Sequence, residues 1–487
     1  MKTYKNGFRK LSAKISNNRL SKTAIAAFFG WQLVLSPFAA LAQRVLPEKV
    51  LVIKNVALID AVNPQVQPNK TIVVEGDRIK AIGDANKLSI PAKAVVINGK
   101  GKYLIPGLWD SHVHLNGKEI FLPLFIANGV TSVREMGGDF QNLKQMREQV
   151  AKGQLVGPKI KTAGTILESE KWMTWVVDIS KKNGDLGILQ DVSTRIGVSN
   201  PEHAKEAVKK LAEEGVDLIK VRNHQTPETF LAIVAEAKKY GLRVAAHAPP
   251  MDLAVASAAG MGSIEHTDSS LSMKDQDVKK IARSFAQNGT WYAPTFVSGI
   301  NVRLTPKETL LESLNDVEGK LDRRSLYMPL AILQSWKKSI ERLKPNAAWE
   351  AQTKRGISEF RIMQKEGVGV LAGTDYGGLL IYPGFSLHDE LQMLVKEGGL
   401  TPFEALQAAT KNPPYFFNLQ NEIGTIEPGK IADLVLLEAN PLESISNTKK
   451  IAGVVQNGKY FSQTDLEKLL KVVKEQITTE NEQRKTK

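Results

Sequence analysis

The chain contains no cysteine. That excludes disulfides, a lipid-modified cysteine anchor and every thiolate zinc site, so any bound metal must be held by nitrogen and oxygen. No Gly-rich phosphate loop opens a helix after a strand, which leaves nucleotide chemistry without support. No Arg/Lys run is interleaved with aromatics, so a nucleic-acid partner is not expected either. Tryptophan and methionine form no stripe at helical spacing. The apolar run 24–35 is short for a membrane span of about 20 residues.

That run has a different meaning. Lys2, Lys5, Arg9, Lys10, Lys14, Arg19 and Lys22 precede it, and Ala40-Leu-Ala42 follows as a small-x-small cleavage site. The pattern predicts a signal peptide over 1–42, cut after Ala42, and a periplasmic or secreted mature chain without a stable membrane anchor; a retained anchor is the alternative. No acid stands before Gln43, so these seven basic residues carry half of the formal net charge of +14. What remains is spread over surface helices and a mixed-charge tail.

What is present is a repeat. Four apolar runs, each led by a glycine, end in a residue able to bind a metal: 215–220 in Lys220, 241–247 in His247, 260–266 in His266 and 367–375 in Asp375. A fifth segment over 104–114, Leu-Ile-Pro-Gly-Leu-Trp-Asp-Ser-His-Val-His, ends in His112 and His114. Helical stretches at 201–214, 227–240, 251–259 and 349–366 precede the four runs, each stopped by a glycine suited to a left-handed cap. Runs 129–134 and 289–295 repeat the form without a ligand. This alternation predicts an α/β fold with a parallel sheet of about eight units closing into a (β/α)8 TIM barrel, its site at the C-terminal strand ends.

With 487 residues and 42% hydrophobic content, the chain can fill such a barrel and a smaller companion. The companion is expected from segments 50–97 and 424–461, which read as short strands. Their turns fall at Asn63-Pro64, Glu75-Gly-Asp77, Gly83-Asp84, Pro428-Gly429, Asn440-Pro441 and Asn457-Gly458. The expected organisation is a signal peptide at 1–42, a β-sandwich part at 43–104, the barrel at 105–420, the second sandwich part at 421–462, and a polar helix with a disordered, solvated tail at 463–487.

The ligand order implies a two-metal hydrolase. His112 and His114 alternate along a strand and so share one face, where two imidazoles can hold one cation. Lys220 is costly to bury as a cation and would be repelled by divalent metals. It either pairs with a nearby carboxylate or has reacted with carbon dioxide to give an anionic carbamate bridging both ions. His247 and His266 suit a second metal, and Asp375 suits a carboxylate that touches one metal and takes a proton from the bridging water.

On these residues the chain resembles the amidohydrolase superfamily, within it the imidazolonepropionase-related branch that includes Xaa-Pro dipeptidase-like and other secreted peptidase-like members. The matching stretches are 105–114, 129–137, Asp217-Leu-Ile-Lys220, Ala246-His247-Ala248, Glu265-His266, Ala372-Gly-Thr-Asp375, 387–391 and 423–435. The resemblance implies that His112, His114 and Asp375 hold the first metal, that His247 and His266 hold the second, and that carbamylated Lys220 bridges them. It further implies two divalent ions, usually zinc, and attack of their shared hydroxide on an amide or peptide C–N bond, with Asp375 relaying the proton to the leaving nitrogen.

Weaker claims attach to the mouth of the site. Arg222 and His224 could bind a substrate carboxylate or form a surface salt bridge, and Tyr292 and Tyr376 could contact the scissile carbonyl or only pack. His388 suits a capping or supporting role, and His203 an exposed helix. Loop 168–200, with Trp172, Trp175 and Arg195, and the charged insertion 298–346, a solvated helical excursion or a lid, depart from the family. The expected substrate is a small amide, a dipeptide of Xaa-Pro type or an N-acyl amino acid; the alternatives are a cyclic, imidazolone-type amide and a non-catalytic scaffold. Homo-oligomerisation is left open.

Overall fold

The computed structural model describes residues 50–485 except 86, 116–118, 185, 223–224, 268–272, 317 and 345. The expected signal peptide and His224 lie outside the described residues.

Helix Pro201–Glu214 illustrates how local sequence sets the elements. The Asn200 side chain accepts from the His203 amide, Pro201 occupies the first turn, and Gly215 stops the helix at φ 86°. Ala204, Ala207, Val208 and Leu211 recur at helical spacing and are buried, which fixes the face turned inward. Pro227–Lys239, Leu253–Ala259 and Ala347–Lys365 form in the same way, within a few residues of the bounds read from the sequence.

The chain begins with β1 (Val50–Leu58), β2 (Gln67–Glu75), β3 (Arg78–Asp84), β4 (Val95–Asn98) and β5 (Tyr103–Pro106). It continues with β6 (Leu108–Val113), β7 (Val130–Glu135) and β8 (Lys159–Thr162), a parallel sheet in that order. Next come β9 (Leu167–Ser169), β10 (Ile196–Val198), β11 (Ile219–Val221), β12 (Val244–Ala246), β13 (Met261–Glu265) and β14 (Trp291–Ala293). These six make a second parallel sheet of order β10-β9-β11-β12-β13-β14.

Hydrogen bonds link the two parallel sheets at both sides. The Asp217 amide donates to the Thr162 carbonyl at 2.8 Å beside β8 and β11. On the other side, segment 369–376 runs between β14 and β6. Tyr292 N donates to Gly369 O at 2.8 Å, Ser111 N to Ala372 O at 2.8 Å and Asp375 N to His112 O at 2.7 Å. The sequence predicts a strand here. The structure instead gives isolated bridges at Val370 and Tyr376, because the Ala372 amide donates to the Ala408 carbonyl and the Thr374 amide to the Asp110 carboxylate rather than to a neighbouring strand, and Asp375 adopts φ 61°. Gly373 permits the close approach: a Cβ there would stand 2.8 Å from the His112 Cβ.

The flanking pieces meet in one sheet. β15 (Leu434–Leu437), β16 (Ile451–Gln456) and β17 (Lys459–Ser462) extend the N-terminal strands in the order β17-β16-β15-β5-β1-β2-β3, with β4 paired to β1. Leu51, Ile53, Leu58, Ile72, Leu434 and Leu436 belong to a separate apolar cluster. The turn expected at Gly83-Asp84 is a strand end, because Gly83 and Asp84 pair with Thr71 and Lys70.

Two further expectations change. The insertion is helical, at Phe296–Leu304, Lys307–Asn315 and Leu330–Arg342, but Leu310, Leu333, Trp336 and Ile340 are buried, so it is packed rather than solvated. The C-terminal segment is helical over Gln463–Lys485, where Leu466, Leu469, Val473 and Ile477 are buried. These apolar residues, spaced by three and four, bind the helix to the body, against the expectation of a free solvated end.

Candidate metal centre

The four imidazoles and Asp375 gather where β6, β12, β13 and segment 369–376 end. Register pairs Lys220 with Ala245 and Ala246 with Ile264, so the chain leaves β12 at His247 and β13 at His266 near the same level. The His112 and His266 ring centres lie 4.6 Å apart, those of His247 and His266 4.7 Å, and those of His112 and His114 5.5 Å. Asp375 Oδ1 stands 3.5 Å from His112 Nε2 and 3.7 Å from His114 Nε2. Ligand atoms of His112, His266 and Asp375 all fall within 4.8 Å of one another.

Three of the four rings are oriented from behind. Nδ1 of His112 meets Glu265 at 2.8 Å, that of His114 the Gly137 carbonyl at 3.0 Å, and that of His266 the Thr295 hydroxyl at 2.8 Å. These contacts turn the Nε2 atoms of the three rings inward, an arrangement characteristic of metal-binding histidines. Burial, followed by the Lys220 charge, holds His247 well below the ordinary imidazole range; burial does the same for His112 and His266. Burial brings His114 down to about 4. Neutral imidazole is the form that binds a metal.

Lys220 is 1% exposed, and its Nζ has no hydrogen-bond partner among the described residues. Burial pushes this amine down to about 8, with the Glu265 and Asp375 charges opposing. His112 Nε2 is another buried atom without a hydrogen-bond partner among the described residues. Two unsatisfied nitrogens beside one carboxylate fit a cation better than they fit a closed hydrogen-bond network.

Two of the site residues are strained. His266 and Asp375 sit at φ 68° and 61°, where non-glycine residues are uncommon, and Thr295, the partner of His266, sits at 47°. Such conformations cost about 1–3 kcal/mol each and persist only where surrounding structure imposes them.

The remaining predicted residues divide. Arg222 Nε is 3.6 Å from the buried Glu168, its guanidinium lies 5.6 Å from the Trp172 ring centre, and its side chain is 31% exposed. Tyr376 is buried against Phe121 and Phe125. Tyr292 is buried, with its hydroxyl 3.5 Å from the His266 carbonyl. His388 lies elsewhere, joining the Asn128 carbonyl to the Thr448 hydroxyl.

Sequence reasoning assigned no role to Arg134, Glu265 or Asp110. Arg134 is buried and donates through Nη2 to Glu265 at 2.8 Å and through Nη1 to Ser263 at 3.0 Å. Asp110 accepts from Thr374 N and Oγ1 at 2.9 and 2.7 Å, tying β6 to the Asp375 segment, and burial pushes it up to about 7. The available signal was weak: Arg134 stands in a strand, Val130–Glu135, whose sequence is largely polar although all six residues are buried.

The Amidohydrolase family pattern matches residues 103–460. Ochratoxinase of Aspergillus niger is 26% identical over 417 residues, covering 74% of this chain and 75% of that protein. Imidazolonepropionase of Alkaliphilus metalliredigens is 24% identical over 416 residues, covering 80% and 89%. A solved Xaa-Pro dipeptidase with bound methionine has the same fold, with a TM-score of 0.64 at 24% identity over 85% of this chain and 100% of that one. The chain is a metal-dependent hydrolase acting on carbon–nitrogen bonds. It belongs to the amidohydrolase family.

Proposed function

We propose that the chain is an exported binuclear amidohydrolase that cleaves the amide or peptide bond of a dipeptide or N-acyl amino acid. The carrying observation is Lys220: a buried amine without a hydrogen-bond partner among the described residues, amid four imidazoles and a carboxylate. Its lowered pKa raises the neutral fraction of the amine above that of an ordinary lysine, and the lone pair of that form can add to carbon dioxide and release a proton, leaving a carbamate. That product supplies the negative charge this cluster of donors lacks.

In this reading β6–β8, β11–β14 and segment 369–376 supply the eight strands of the (β/α)8 barrel over 105–420, with β9 and β10 as an extension beside β11, and the described part of segment 43–104 forms the small β domain with 421–462. The hydrogen bonds at Thr162, Gly369 and Ala372 support it. His112, His114 and Asp375 would hold one ion, His247 and His266 the other, with the Lys220 carbamate between. Two divalent ions there, zinc for this donor set, would polarise the substrate carbonyl and acidify a water. Asp375 takes the proton at its carboxylate and returns it to the leaving nitrogen, while the Ser298 hydroxyl, 3.2 Å from Oδ2, steadies that carboxylate. Arg222, held by Glu168 and Trp172, binds the substrate carboxylate.

The test is amine release by the zinc-loaded protein starting at Gln43, against dipeptides, N-acyl amino acids and cyclic amides. Lys220→Ala serves as the control. Cleavage of a linear substrate that disappears in the variant is expected. Turnover of cyclic amides alone would overturn the substrate assignment, and full activity of Lys220→Ala would overturn the bridging role.

A further inference from the structure

A cavity of about 670 Å3 opens beside the metal centre. At its inner end are His114, Tyr376 and Gly377-Gly378, the last three directly following Asp375. Its wall is built from parts of the chain remote in sequence: Met328 and the insertion helix Leu330–Arg342, which contributes Ile332 and Trp336, and the C-terminal helix, which contributes Glu480 and Arg484. The two helices are joined where the Leu330 amide donates to Asn481 Oδ1 at 3.0 Å.

We infer that this cavity is the subsite for a bulky apolar acyl group, so that the preferred substrates are N-acyl amino acids with long-chain or aromatic acyl parts. The inference rests on the function proposed above. Phe121, Met328, Ile332, Trp336 and Ile381 give the lining a buried or half-buried apolar part, whereas Glu119, Ser335, Glu480 and Arg484 line it as exposed polar groups. A dipeptide's ammonium would lose hydration against the apolar part of this wall, and the exposed, already solvated carboxylates of Glu119 and Glu480 offer little in return. Arg222 provides for the carboxylate on the amine side of the scissile bond, which assigns the acyl side to the apolar cavity. Its volume lies within the range of small-molecule sites and exceeds what an acetyl group needs. Trp336 is held by an edge-on contact with Tyr382 at 5.4 Å, so this wall is preformed.

A larger cavity, about 830 Å3, lies elsewhere and includes none of the candidate ligands. There Arg324 is bound to Asp322 and Asp389, and Asp389 also to Lys449, so its charges are already satisfied.

The experiment compares kcat/KM for acetyl, hexanoyl, decanoyl and naphthoyl derivatives of one amino acid, and for a second series with the same groups on the amine side. The acyl series is expected to gain up to ~4-fold per buried methylene, chiefly through KM. Ile332→Glu, at a half-buried position, should abolish the gain, whereas Ile332→Val, which keeps the wall apolar, should retain it. Rates independent of acyl size, a gain confined to the amine series, or an unaltered gain in Ile332→Glu would each overturn the inference. Quenching of Trp336 fluorescence by N-decanoyl amino acid, read as the difference between wild type and Trp336→Phe, separates the two readings. Quenching without turnover of any amide would support the subsite and reject the hydrolase assignment; neither quenching nor turnover would reject both.

Discussion

Glu265 Oε2 lies 2.8 Å from His112 Nδ1, and the same oxygen accepts from Arg134 Nη2 at 2.8 Å. The carboxylate places the ring proton on Nδ1, so the lone pair of Nε2 is directed to Asp375. β13 thereby serves the site twice, through His266 as a candidate ligand and through the preceding residue as the support of His112.

Glu265→Gln is predicted to weaken metal binding by about 10–100-fold while the protein remains folded. Competition with a chelator measures this directly, and an affinity within twofold of wild type would contradict the role.

Arg134→Met leaves Glu265 buried without its cation. A loss of about 3–5 kcal/mol in denaturant unfolding is expected. Replacing both residues by methionine should recover much of that loss, since the uncompensated charge is then gone. A double variant as unstable as the single one would count against the ion pair as the cause.

Arg222→Ala should raise KM about 10–100-fold for substrates bearing a carboxylate, as expected for loss of a charge-assisted hydrogen bond, with kcat within about threefold. Bound metal should be unchanged. Equal effects on the corresponding amide-capped substrate would show that Arg222 does not read the carboxylate.

His388 provides a pH prediction away from the metal. Burial lowers it to about 4 from 6.5, so between these values the unfolded chain binds more protons than the folded one. Stability from this group is therefore complete above pH 6.5 and falls as pH drops to 4, by about 3 kcal/mol at most. Comparing the pH dependence of unfolding for wild type and His388→Gln isolates the effect, since other buried acids such as Glu135, raised to about 8, have the opposite slope in both proteins. Identical pH profiles would refute it.

The helices were legible because their signals are local. Asn200, Pro201, the apolar positions 204 to 211 and Gly215 lie within one stretch of chain, and the helix has the bounds that these residues dictate. The glycine-led run at 367–375 reads as a strand in the sequence and is not one in the structure, for the complementary reason. Its apolar residues look extended, but its hydrogen bonds depend on β6 and β14, more than 70 residues away in sequence. The C-terminal helix was read as solvated since its buried positions are interspersed with charged ones, and only the surface it meets reveals which side is covered.

The sequence by itself determined the alternation of helix and strand, the identity of the six candidate ligands, and a metal site without sulfur, since spacing, caps and residue chemistry are all carried within short segments. Only the tertiary structure decided that Glu265 and Arg134 orient His112, that Lys220 has no hydrogen-bond partner among the described residues, and that the insertion and the C-terminal helix share one cavity wall. Those properties depend on distances between residues far apart in the chain, which local propensity does not encode and packing alone fixes.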